Sequence, residues 1–149
     1  MPYKFLEGFT TADVAFEARG KNLNELFESA ALALFSIMAA PKKVKCATSK
    51  KFSIEKKTLE ELMYSFLEEI IFLKDSEALV FNSCKVNISQ DIQDTQDSKS
   101  SFKLNSILYG DKIDYKKQEL RVDAKAITMH RFEVKKEKNG YVARVVVDI

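Results

Sequence analysis

The last residues of the sequence, Val145-Val146-Val147-Asp148-Ile149, carry the most pointed chemistry in the chain. The valine run suits a buried strand, and Asp148 and the carboxylate of Ile149 follow it at once, where most chain ends run out into polar residues. A strand ordered to its last atom would hold two negative groups together. Two like charges about 4 Å apart repel by roughly 4 kcal/mol at an effective dielectric of about 20. Such an arrangement calls for a proton or a cation. Oxygen-only ligands suit a hard divalent ion, and calcium tolerates irregular geometry better than magnesium. Asp13, in Thr10-Thr11-Ala12-Asp13, is a candidate third carboxylate. The alternative is a surface aspartate beside a solvated terminus, and the residues alone leave both readings open.

Other chemistry is sparse. The chain has one histidine, no tryptophan, no glycine-rich phosphate loop and no G-x-S-x-G elbow. His130 falls in a strand-like run, where alternation groups it with Ala126, Thr128 and Phe132, and a structural or exposed role is expected. Cys46 and Cys84 lack the close spacing and histidine neighbours of a zinc site, which leaves two reduced thiols in a cytosolic protein. Asp91, Asp94 and Asp97 lie three apart, whereas a calcium loop needs ligands at alternate positions, so residues 90–101 are expected to form a mobile polar loop. Residues 42–57 carry seven lysines against Glu55 alone. Such a run steers RNA or an acidic surface, or is simply a solvated connector and strand edge; the lack of arginine and of stacking aromatics beyond Phe52 favours the connector.

The totals bound the rest. A chain of 149 residues with 24 basic and 22 acidic side chains fits one domain, is nearly neutral at +2, and is no obligate polyanion binder. No basic-then-apolar leader opens it, and the longest apolar stretch, 30–40, is far short of a membrane span, so a soluble cytoplasmic protein is expected.

The elements that must position the carboxylates are written twice. Under a shift of 36 residues Phe16 falls on Phe52, Leu23 on Leu59, Glu25 on Glu61 and Leu26 on Leu62. Each copy is a short strand followed by a helix that opens on a capping box, Asn22-x-x-Glu25 and Thr58-x-x-Glu61. Apolar residues at Leu23, Leu26, Phe27, Ala30, Ala31, Leu34 and Phe35 mark one helical stripe, and Leu59, Leu62, Met63, Phe66, Leu67, Ile70 and Ile71 mark the other. The first helix stops before Pro41 and the second runs to about Lys74. Two copies are too few for a solenoid, so both helices are expected on one face of a shared sheet. The remaining strands are expected at 14–18, 83–89, 102–109 (with a turn at Gly110-Asp111), 120–135 and 141–149, the last two joined by a hairpin around Asn139-Gly140. The fold class is α+β: a single domain over 1–149, two main helices on largely antiparallel sheet, and a C-terminal β-hairpin.

Five segments together resemble the archease family: Thr11-Ala12-Asp13, the helix with Glu25-Leu26-Phe27-Glu28-x-Ala30, Tyr109-Gly110-Asp111, Lys125-Ala126-Ile127-Thr128 and Val147-Asp148-Ile149. They run collinearly over essentially the whole chain. The resemblance implies a small cytoplasmic protein cofactor of the GTP-dependent RNA ligase of tRNA splicing and repair, promoting its guanylylation and repeated turnover. It also implies a divalent-metal site, calcium by the donor argument above, made by Asp13, Asp148 and Ile149. The chain departs from the family pattern at Thr10, where a histidine is usual, at Tyr109, often tryptophan, and at Gln118, often histidine. Without that first histidine, only a hydroxyl is left to orient Asp13.

Three readings follow. In the first the protein is not an enzyme but an activator whose acidic site engages the ligase, with Lys112 and Lys125 as partner-contact candidates. In the second it steers a tRNA-modifying methyltransferase, and the lysines of 42–57, as tRNA contacts, matter more than the metal. In the third the carboxylates activate water in a metal-dependent hydrolase.

Overall fold

The computed structural model describes residues 2–7, 12–91 and 101–149. Strands β1 (Tyr3–Leu6) and β2 (Asp13–Gly20) lead into helix α1 (Leu23–Met38), a 3-10 turn at Pro41–Lys43 and strand β3 (Thr48–Lys56). Helix α2 (Leu59–Glu77), then β4 (Leu79–Asp91), β5 (Ser101–Lys112), β6 (Ala126–Glu137) and β7 (Gly140–Asp148) complete the chain. Every strand pairing is antiparallel. The fold is α+β.

The two copies are present as β2–α1 and β3–α2, and both helices start on the expected residue. Asn22 Oδ1 accepts from Glu25 N at 2.9 Å and Thr58 Oγ1 from Glu61 N at 3.1 Å, each satisfying an amide that the first helical turn leaves without a partner. The copies do not share a sheet, however. One sheet runs β1-β2-β7-β6 and the other β3-β5-β4. Strand β2 is flanked on both sides, by β1 and β7, so it offers no edge to β3. The duplication appears instead as cross-bracing, since α1 packs on β2 and on β4 of the other sheet, while α2 packs on β3 and on β6.

The helices also close the open edges. Asn24 Oδ1 accepts from Ile88 N at 2.8 Å and Glu28 Oε2 from Val86 N at 3.3 Å on edge strand β4. Glu68 Oε1 of α2 accepts from Ile127 N at 2.8 Å on edge strand β6. These carboxylates and the amide occupy backbone donors that would otherwise recruit another chain. Between the layers, the Phe66 ring lies 5.7 Å from Phe27 of α1 and 6.0 Å from Phe52 of β3.

Several strand boundaries differ from expectation. Helix α2 continues past Lys74 to Glu77 and ends on Ala78 at φ 54, a left-handed cap without the glycine that usually announces one. Strand β4 starts at Leu79, not 83, because Leu79, Val80 and Phe81 are buried in succession ahead of a bulge at Asn82 that breaks the alternation. Gly110-Asp111 is no turn; β5 runs straight through it. A Cβ on Gly110 would sit 2.0 Å from Val80 O, so the glycine lets the bulged strand approach. Gly110→Ala should therefore destabilise by about 3 kcal/mol, seen as a loss of roughly 6–12 °C in melting temperature; an unchanged melting point would contradict this packing.

The segment 120–125 is not strand either. It fastens the end of α1: Ser36 O, Ile37 O and Met38 O accept from Arg121 Nη1, Val122 N and Arg121 N at 2.9–3.1 Å, while Phe35 O accepts from the helix's own cap residue, Ala39 N, at 3.0 Å. All four terminal carbonyls of the helix are thus satisfied. Lys74, only 6% exposed, anchors the same segment by donating to Ala124 O at 2.8 Å and pairing with Asp75 and Asp123. Burial opposes its charge, but these partners outweigh burial and hold its pKa above the usual lysine value. In β6 the register slips between Thr128 and Glu133 and Arg131 takes φ 54, so His130 leaves the expected alternation and is exposed on a bulge. The hairpin forms with Lys138 and Asn139 between paired Glu137 and Gly140. Of the polar stretch 90–101, Gln90, Asp91 and Ser101 are strand, and the rest, including Asp94 and Asp97, lies outside the described residues.

Both cysteines are free thiols. Cys84 faces the core from β4, and burial, seconded by the charge of Glu28, pushes its thiol up to about 12. Cys46 is exposed. At about pH 8 a thiol reagent should label Cys46 in the native protein and reach Cys84 only on unfolding; equal labelling would contradict the burial. The raised value also makes this thiol's contribution fully present below about pH 8.5, the unfolded pKa, and progressively lost as pH rises toward 12.

Candidate metal centre

Strand pairing brings the two predicted aspartates together from opposite ends of the chain. In the β2–β7 ladder Asp13 is the direct partner of Asp148. The next pair out is hydrogen-bonded, Ile149 N donating to Ala12 O at 2.9 Å. Antiparallel pairs alternate, so Asp13 and Asp148 form a non-hydrogen-bonded pair, the narrow kind in which Cα atoms stand about 4.5 Å apart and side chains are closest. Both carboxylates project from one face, and both residues are half-buried. On the far side of Asp148 stands Ala126 of β6, whose methyl leaves space beside the carboxylate. Lys125 N donates to Asp148 O at 2.8 Å, which fixes the strand end from that side.

The next residues on this face, Ala15 and Val146, are an apolar pair, each 1% exposed. Beyond them Lys4, Glu17, Arg144 and Glu133 alternate in sign across the sheet, with Glu17 Oε atoms 3.3 Å from Lys4 Nζ and 3.7 Å from Arg144 Nη2. Arg144 is four residues from Asp148, about 13 Å along the strand, and is engaged by Glu17. Among the described residues Asp148 has no ion pair.

The donor set fits a hard cation: two carboxylates on opposed strands, oxygen only, on a shelf of apolar residues. Among the described residues no third acid, cysteine or histidine joins them. Ile149 contributes backbone position beside Asp148, held by Ala12. The hydroxyls of Thr10 and Thr11 lie outside the described residues.

The two lysines singled out from sequence part company. Lys125 adjoins the carboxylate pair. Lys112 belongs to the other sheet, paired with Leu79, and lines a 310 Å³ cleft with Lys43, Lys45 and Lys117, set against Asp111 and Asp114. Sequence reading missed this gathering because Lys117 is more than 70 residues from Lys43; only the run at 42–57 hinted at it. Gln118, where a family histidine was noted, is buried and clamps that cleft, its amide donating to Lys112 O and accepting from Asp114 N, both at 2.9 Å. Gln118 thus serves the loop and not the carboxylates.

Two cross-braced strand–helix copies on paired antiparallel sheets, with an acidic pair at one sheet end, define a class of small α+β proteins. The archease protein family matches the chain over residues 3–149. Curated relatives named protein archease include one from Pyrococcus furiosus, 38% identical over 93% of this chain and 94% of its own length. Another, from Archaeoglobus fulgidus, is 35% identical over the full length of both chains. The solution structure of Methanobacterium thermoautotrophicum protein 1598 superposes with a TM-score of 0.78 at 30% identity, covering 99% of each chain. The chain belongs to the archease family. Among the described residues no helix is long and apolar enough to cross a membrane.

Proposed function

We propose that this protein is a non-enzymatic cofactor of a GTP-dependent RNA ligase of tRNA splicing and RNA repair, acting in the cytoplasm through a divalent-metal site at Asp13, Asp148 and Ile149. Membership of the archease family supports a protein-cofactor role. The observation that carries the metal reading is the narrow cross-strand pairing of Asp13 with Asp148. When bound, a divalent ion, calcium by preference, would supply positive charge between two carboxylates that otherwise repel. The two aspartates would hold it, and the β2 start, the β7 end and Lys125 would become one firm surface. Such a surface promotes ligase guanylylation only by binding the competent state of the ligase more tightly than the incompetent one. Lys125, beside the pair and exposed, is a contact candidate on this surface; Lys112 is a candidate on a separate one.

Multiple-turnover ligation with limiting ligase tests the reading. The wild type should raise product beyond one turnover, and chelator or Asp13→Asn with Asp148→Asn should return it to the level without cofactor. Full activity of the double variant would reject the site. The lysine cleft at Lys43, Lys45, Lys112 and Lys117 favours a second reading, modulation of a tRNA-modifying methyltransferase. Salt-sensitive and chelator-insensitive association with that enzyme would support the second reading over the first.

A further inference from the structure

The outer face of the three-stranded sheet is free of helices and carries a pattern with no part in the carboxylate site. Alternation along β5 sends Leu104, Ser106 and Leu108 into the molecule and Asn105, Ile107 and Tyr109 outward. The ladders place these outward residues in rows across the sheet: Ser53–Asn105–Asn87, Lys51–Ile107–Lys85 and Ser49–Tyr109–Ser83. In the middle of these rows lies a hollow of 490 Å³, floored by Ile107 and Asn105 and walled by Lys51 and Lys85. Neighbouring strands stand about 4.8 Å apart, so the two lysines root about 10 Å from one another on either side of β5. Neither has an ion pair among the described residues, and no acid stands in these three rows. Glu55, in register with Lys103, stands one row beyond one end and Asp111, in register with Val80, one row beyond the other, so the uncompensated charge concentrates at Lys51 and Lys85 between them.

We infer that this sheet face binds single-stranded RNA, with Tyr109 as the stacking platform and Lys51 and Lys85 as phosphate contacts. The chemistry is that of a strand-tracking surface: an apolar hollow floored by Ile107, the half-buried ring of Tyr109 in the next row to accept a base face, cations on both flanks, and the exposed amides of Asn87 and Asn105 to reach base edges, the latter with its oxygen already accepting from Ser53 Oγ. An acidic protein segment would use the lysines but has no need of Tyr109, and that difference separates the two occupants. The inference does not rest on the metal-centre reading, since the face lies on the other sheet and takes no part in the Asp13–Asp148 ladder.

Fluorescence anisotropy with a labelled oligouridylate of about ten nucleotides, in chelator and without ligase, tests the assignment. The wild type should bind at low salt. Lys51→Gln with Lys85→Gln should reduce the slope of log affinity against log salt by about 1.4, the release of two counterions. Tyr109→Leu should lower affinity at least fivefold with the slope kept. Lys43→Gln with Lys45→Gln, in the other cleft, should bind as the wild type, and melting temperatures of all variants should confirm that they fold. Absence of binding at low salt would overturn the inference. So would loss confined to the Lys43 and Lys45 variant, or competition by polyglutamate together with an unaffected Tyr109→Leu variant, which would identify an acidic protein surface instead.

Discussion

In chelator, Asp148→Asn is expected to melt slightly higher than the wild type; in saturating calcium it is expected to melt well below it. Both signs come from one geometry. Without a cation the narrow Asp13–Asp148 pair sets like charges directly opposite each other, which destabilises an antiparallel ladder by about 0.2–1 kcal/mol. The amide removes that repulsion, worth up to roughly 4 °C for a chain of this size. With calcium at about one hundred times its dissociation constant, the folded wild type gains about 2.7 kcal/mol, or roughly 5–10 °C. A variant lacking one carboxylate should lose most of that rise. Thermal unfolding of both proteins in both conditions reads the four values. Equal calcium shifts in variant and wild type would detach the ion from Asp148.

The second large effect is structural. Phe66→Ala should cost about 3–5 kcal/mol. The ring is fully buried between Phe27 of α1 and Phe52 of β3, where the two strand–helix copies meet, so truncation leaves a void that neither helix can close without leaving its sheet. Denaturant unfolding should show a lower midpoint with an unchanged slope. A loss below about 1 kcal/mol would mean that the layers collapse around the gap, and that the cross-bracing of the sheets is softer than its packing indicates. By contrast Phe72, 58% exposed on the same helix, should tolerate alanine.

What was legible in the sequence follows the range of the interactions involved. Helix starts at Leu23 and Leu59 are set by caps and a 3.6-residue apolar period within a dozen neighbours, and both were readable to the residue. The C-terminal hairpin was readable for the same reason, although its two turn residues are Lys138 and Asn139, one position before the expected Asn139-Gly140, with Gly140 already paired to Glu137. Strand partners are chosen at long range, and nothing local told that β2 would already be enclosed by β1 and β7, leaving β3 to start a second sheet. Gly110 misled because a glycine usually marks a turn; here it makes room for the Val80 carbonyl of a bulged neighbour. The 120–125 stretch looked like strand because its role, satisfying the end of α1, needs extended backbone but no ladder.

The candidate site was legible in a different way. Asp148 stood out because a valine run ends on it, and Asp13 was a candidate only by its setting until the family resemblance joined the two. Their direct pairing across β2 and β7 is a matter of register, invisible to either segment alone. The lysine cleft and the lysine-flanked sheet face escaped for the same reason. Lys51 and Lys85 belong to strands that never touch, held apart by β5.

The most direct measurement is a calcium titration followed by the backbone amide resonances of the isotope-labelled protein. The account predicts saturable shifts confined to Asp13, Asp148 and Ile149 and to their neighbours at Ala12, Lys125 and Ala126, with the two helices silent. Shifts centred elsewhere, or a spectrum unmoved by any divalent ion, would contradict it.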